Sequence, residues 1–140
     1  METQGSVALV TGGAKRIGRV IATHLAGRGA TVAVHYHGSA REAKETVEAI
    51  REAGGMARAY GADFRDQGAV QALLPRVAEA LGTINILVNG ASAFRQVDLP
   101  GTTRADIEES LAIHLWAPLR LSQAMLERLG DAPGKIINVN

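Results

Sequence analysis

The run Thr11-Gly12-Gly13-Ala14-Lys15-Arg16-Ile17-Gly18 has the residue types and spacing of a turn that could hold phosphate. An apolar stretch, Val7–Val10, leads into it, and a helical pattern follows at once. Glycines in such a turn leave backbone N–H groups uncovered, and the opening helix adds the positive end of its dipole. A diphosphate would then lie against Gly12, Ile17 and Gly18. The spacing is not a strict G-x-G-x-x-G, and glycine-rich turns between strand and helix also occur with no ligand. In sites that take NAD, an acidic residue about 20 residues further on holds the ribose 2′-OH. Here the corresponding stretch, Val34-His35-Tyr36-His37-Gly38-Ser39, contains no Asp or Glu. A 2′-phosphate would meet no opposing carboxylate and could be held by His37, Ser39, Lys15 and Arg16, which favours NADPH over NADH. The plainer alternative makes Lys15 and Arg16 solvated turn charges.

Further candidates lie downstream. Asp63, in Gly61-Ala62-Asp63, closes a third β-rich run, where an Asp often only caps a turn or helix. Asn89-Gly90-Ala91-Ser92 closes a fourth run, with Phe94 just beyond; a bland role for Phe94 is to plug the core. His114, in His114-Leu115-Trp116-Ala117-Pro118, is of a residue type that can hold a water and carry a proton. It falls on an apolar stripe three residues after Leu111, so a hydrogen-bonded core histidine is the expected role ahead of a catalytic one.

The elements that must position these residues alternate regularly. Expected strands are Val7–Val10, Thr31–His35, Ala57–Gly61, Ile84–Val88 and Lys135–Val139. A first helix is striped by Ile17, Val20, Ile21 and Leu25 and ends at Gly29. A second is striped by Ala43, Val47 and Ile50 and stops at Gly54-Gly55. The third carries Val70, Leu73, Leu74, Val77 and Leu81, with Asp66 as its N-cap; Pro75 implies a kink or a late start. A fourth runs from about residue 103 to 129 with Ile107, Leu111, Leu115, Leu119, Met125 and Leu126, and Pro118 is positioned to bend it. The order βαβαβαβαβ predicts an α/β fold: a doubly wound parallel sheet, Rossmann-like, with right-handed crossovers. The longest irregular segment, residues 89–102, follows the fourth strand at the edge where open α/β sheets bind ligands.

Bulk properties narrow the classes. The 140 residues suffice for one domain with a real core. Net charge is +1 and aromatics make up 4%, so neither a nucleic-acid surface nor a membrane surface is expected. Cysteine is absent, which excludes disulfides, thiolate catalysis and Cys-type zinc sites, and no metal site is expected. With no 18-residue apolar run and no leader pattern at Met1-Glu2-Thr3-Gln4-Gly5, a cytoplasmic location is the expectation.

In order and spacing the whole chain resembles the short-chain dehydrogenase/reductase family, and within it the pteridine reductases and their bacterial relatives. Three features carry this: Lys15-Arg16 where most members have x-Gly, His35-Tyr36-His37 at the second strand end, and Ser92-Ala93-Phe94. The resemblance implies the strand order 3-2-1-4-5 and hydride transfer from NADPH. It assigns Asp63 to the adenine amino group, and Asn89 and Ala91 to the adenosine side. Ser92 would touch cofactor and substrate, and Phe94 would stack a flat ring against the nicotinamide. His114 stands where the family has an Asn that holds a proton-relay water. The family's proton donor lies in a Tyr-x-x-x-Lys element. Here the only tyrosines, Tyr36 and Tyr60, have no Lys four residues on, so the chain is expected to be the cofactor-binding portion, truncated after the fifth strand.

The function this favours is an NADPH-dependent reductase acting on a pterin- or dihydrofolate-type ring. The alternatives are a ketone or 3-oxoacyl-thioester reductase, or a non-catalytic NADP-binding module. The fourth helix is more apolar than one sheet face requires, which points to a homo-oligomer with Trp116 as an interface anchor. Alternatively, further chain of the same protein covers it.

Overall fold

In the computed structural model, which describes residues 1–139, a five-stranded parallel sheet has the order β3-β2-β1-β4-β5. The strands are β1 (Val7–Val10), β2 (Thr31–Tyr36), β3 (Met56–Gly61), β4 (Ile86–Asn89) and β5 (Lys135–Asn138). The helices are α1 (Arg16–Gly27), α2 (Ala40–Glu52), α3 (Gln67–Leu81), α4 (Arg104–Leu111) and α5 (Ala117–Leu129). Among the described residues, no helix is long and apolar enough to cross a membrane. The strand order is the expected one, and because the chain runs outward from β1 in both directions, right-handed crossovers put α1 and α2 on one face and α3 and α5 on the other.

Strand alternation divides the core. Ala8, Val10, Val32, Val34, Ile86 and Val88 face α1 and α2, while Leu9, Ala33 and Leu87 face α3 and α5. In register, Leu9 sits between Ala33 and Leu87 at the centre of the sheet. Both faces are covered, which is why these strands read as continuous apolar runs. β4 begins at Ile86, two residues later than expected; just before it the Asn85 side chain accepts the Val7 N–H at 2.9 Å while its backbone N–H donates to the Val7 carbonyl at 3.0 Å.

Two expected helix stripes are corrected. In α1 the buried residues are Gly18, Ala22 and Ala26, with Ile21 and Leu25 half-buried or packed at the margin, whereas Ile17 and Val20 are exposed. The helix lies so close to the glycine turn that only small side chains fit beneath it. The fourth helix is interrupted by a π-helical turn, Ala112–Trp116, which inserts one residue and resets the phase. Ile113, Ala117, Leu121, Met125 and Leu129 therefore face the core at intervals of four, and Leu111, Leu115, Leu119 and Leu126 are exposed. Pro118 falls in the first turn of α5, directly after the π-helical turn, in a segment whose backbone stays helical on both sides of it. α3 runs unbroken through Pro75, with Asp66 capping it by accepting the amides of Gly68 (2.9 Å) and Ala69 (3.4 Å).

Candidate functional site

The strand order reverses direction between β1 and β4, and a crevice of about 590 Å³ opens there beyond the carboxyl ends of the strands. Its floor is the glycine turn. Gly12 has φ +65°, and a Cβ there would lie 2.8 Å from the Gly90 carbonyl oxygen. Gly18 sits against the Gly12 carbonyl with no room for a Cβ. The turn is tied down from several elements. Gly12 N–H donates to His35 Nδ1 (3.1 Å) and Gly13 N–H to the His35 carbonyl (3.0 Å). Thr46 of α2 donates to the Ala14 carbonyl (2.8 Å). Thr11 Oγ1 accepts the amides of Gly90 and Ala91, both at 3.0 Å, joining the ends of β1 and β4. Thr11, His35 and Thr46 are buried polar residues whose positioning roles sequence reasoning missed; none has a distinctive spacing, and only the fold aims them at the turn.

No side chain caps α1, and Lys15 precedes it in extended backbone. The first-turn amides of Arg16, Ile17 and Gly18 thus lack intrahelical partners and face the crevice end of the helix. Arg16 is the one non-glycine residue with positive φ among those described, at +52°.

The structure brings Gly12, Lys15, Arg16, Ile17, Gly18, His37, Ser39, Asp63, Ala91 and Ser92 to this one crevice. At its far end is a residue that sequence reasoning did not single out. Arg65 holds both Asp63 oxygens (2.9 Å and 3.2 Å from Nε), donates to His37 Nε2 (3.1 Å) and reaches Glu109 Oε1 (3.5 Å). The Arg65 hydrogen bonds hold the Asp63 carboxyl down at about 2, so it is ionised and accepts only. A signal was available: a cation two residues past the strand-ending Asp63.

A second crevice, about 480 Å³, adjoins the first through Ala91, Ser92 and Val139. Asn89 is buried in its wall and donates to Asn138 Oδ1 (2.9 Å), tying β4 to β5. Its own Oδ1 has no partner among the described residues. His114 is corrected from the core to the mouth of this crevice, where it is exposed, because the π-helical turn rotates it off the buried stripe. Its Nδ1 lies 2.9 Å from the Ser110 carbonyl, which can only accept, so Nδ1 carries the proton. Nε2 then accepts from Ser92 Oγ–H at 3.1 Å. Phe94 plugs no core: it is 90% exposed and lines neither crevice.

The model of the family described as short chain dehydrogenase matches residues 6–140. The chain belongs to this family. The short-chain dehydrogenase/reductase homologue of Bacillus subtilis is 44% identical over 99 residues, covering 71% of this chain and 91% of that one. A hydroxynaphthalene reductase of Aspergillus fumigatus is 41% identical over 133 residues, 95% of this chain and 48% of its own. Among solved structures, a short-chain dehydrogenase of Burkholderia cenocepacia in complex with NADP matches with TM-score 0.91 and 42% identity, covering 99% of this chain and 56% of that one. FolM alternative dihydrofolate reductase 1 of Brucella canis, also complexed with NADP, matches with TM-score 0.89 and 33% identity, covering 97% and 54%. Apart from the Bacillus homologue, the chain spans about half the length of the curated relatives it matches.

Proposed function

We propose that this chain holds NADPH for a short-chain oxidoreductase of the cytoplasm that reduces a flat ring of pterin or dihydrofolate type. One observation carries the cofactor reading: an uncapped helix start, a turn with no room for Cβ atoms, and a β2 end free of acids all face one crevice. The residues fit such a group. The Arg16, Ile17 and Gly18 amides would meet the diphosphate. Lys15 and Arg16, with His37 and Ser39 opposite, would meet a 2′-phosphate. Asp63 retains acceptor capacity beside the Arg65 contacts for an adenine amino group. Asn89, whose buried Oδ1 has no partner among the described residues, lines the second crevice. When bound, the reduced nicotinamide supplies the hydride. Ser92, shared by both crevices, would orient the substrate, and His114 Nε2 would hold the Ser92 proton in line. Phe94, two residues beyond Ser92, would stack on the ring from its exposed position.

A second reading is a ketone or 3-oxoacyl-thioester reductase, favoured by the absence of Phe94 from the lining of either crevice, which leaves the Phe94 ring no place there to stack a flat substrate. The NADP-bound solved structures support the cofactor, and the hydroxynaphthalene reductase supports a reductase that acts on a ring compound. A non-catalytic NADP-binding module would show the same binding with no turnover.

The test is a fluorescence titration of NADPH against NADH on the parent and on Arg16→Gly. Glycine removes the cation while relieving the positive φ, so a lost preference cannot be blamed on a strained turn. NADPH is expected to bind more tightly than NADH. The variant should lose roughly tenfold for NADPH and little for NADH, the size of one charge-assisted contact. NADH binding the parent more tightly would reverse the cofactor assignment.

A further inference from the structure

We propose that His35 is the positioning residue of the phosphate turn: one fixed imidazole tautomer sets the Gly12 amide and, through it, the affinity for the dinucleotide. This rests on the nucleotide reading of the crevice. The ring is 2% exposed and stacks on Phe64, with centroids 4.2 Å apart and planes 6° from parallel. Its two nitrogens are claimed by backbone groups of opposite kind. Gly12 N–H, 3.1 Å from Nδ1, can only donate. The Ala62 carbonyl, 2.9 Å from Nε2, can only accept. The proton therefore sits on Nε2, and the ring is neutral.

This single side chain spans the crevice from the turn after β1 to Ala62, the neighbour of Asp63. It also settles which amides remain for a ligand. Gly12 and Gly13 donate to His35, side chain and carbonyl respectively, so neither is free for phosphate. The donors left are those at the start of α1, and their position follows from the Gly12 conformation because Gly18 rests on the Gly12 carbonyl. Losing the Nδ1 acceptor would leave the Gly12 amide without its partner and free the turn to shift beneath α1.

Two variants separate the roles of the ring. His35→Phe keeps the stack on Phe64 and loses both hydrogen bonds. His35→Asn loses the ring but places an amide oxygen where Nδ1 was. Imidazole ¹⁵N shifts of the parent at neutral pH should report an Nε2–H tautomer. Hydrogen exchange at the Gly12 amide should be slow in the parent and in the Asn variant, and fast in the Phe variant. NADPH should bind the Phe variant roughly ten- to a hundredfold more weakly and the Asn variant within about threefold of the parent. A Phe variant that binds as tightly as the parent, or an Nδ1–H or charged ring in the parent, would overturn the proposal. A Phe variant that does not fold leaves the decision to the tautomer and the Asn variant. A parent that binds no NADPH would sink the nucleotide reading, while Gly12 exchange would still decide whether His35 sets the turn.

Discussion

At the residue scale, the candidate site is held mostly by backbone groups, and the side chains that matter most are those that aim the backbone. His35 shows how such a residue enters stability. Burial pushes its pKa from 6.5 down to about 4, with His37 adding a smaller effect in the same direction and the Ala62 hydrogen bond opposing it. Above pH 6.5 the ring is neutral folded or unfolded and contributes no pH dependence. Below 6.5 the unfolded chain takes up a proton that the folded chain refuses. Stability therefore falls as pH drops from 6.5 toward 4, by roughly 3 kcal/mol at most. The lowered Asp63 acts further down, between 3.8 and about 2, and leaves this window clean. Urea midpoints for parent and His35→Phe should diverge in slope between pH 7 and 4.5, the parent falling more steeply. Parallel profiles would show that His35 is charged or solvated when folded. The motif residues Gly12, Gly18, Lys15 and Asp63 were legible because their chemistry is local: a turn, an end charge, a strand terminus. The positioning roles of His35 and Thr46 were not, because each acts on a residue 23 or 32 positions away, whereas the Arg65 contact with Asp63, two positions off, was there to be read.

At the element scale, strands and their order were readable because each is an apolar run bounded by turn residues, and the crossover rule leaves few arrangements. Helix phase was less readable. The α1 stripe went wrong because burial there is limited by closeness to the turn, so glycine and alanine face the sheet and larger residues look outward. The fourth helix went wrong because a π-helical insertion leaves no mark in composition, yet it moves every later residue by about one position around the axis. Cap chemistry, by contrast, is written in single residues. Asp66 satisfies two first-turn amides of α3, whose Val70, Leu73, Leu74 and Val77 form part of the core. Asp66→Ala should cost about 1 kcal/mol, seen as a lower urea midpoint with an unchanged slope. An unaltered midpoint would mean that water replaces the cap at no cost.

At the scale of the whole molecule, burial is uneven. The faces of β1, β2 and β4 are fully covered, while the outer surface of α4, the π-helical turn and α5 presents Ile107, Leu111, Leu115, Trp116, Leu119 and Leu126 to solvent. Exposed apolar residues scattered singly need no explanation, but six on one continuous helical run form the kind of patch that marks an interface. Ile107 and Leu111 belong to α4, which buries none of its residues, and from the π-helical turn onward the Ile113–Leu129 stripe faces inward while Leu115, Trp116, Leu119 and Leu126 stay outside. The excess apolar character of this segment was legible in the sequence. Its division into an inner and an outer stripe was not, since that depends on the inserted residue. Sedimentation of the parent should therefore give a mass above that of one chain, falling toward the single-chain value on dilution. The double substitution Leu115→Glu with Leu119→Glu should give one chain at every concentration while the far-ultraviolet spectrum stays unchanged, because both side chains lie outside the core. A parent that sediments as one chain at all concentrations would rule out self-association through this face. A double variant that keeps the parent's mass would move the interface elsewhere, with β5 the next surface to examine because Ile136 and Ile137 are exposed on it.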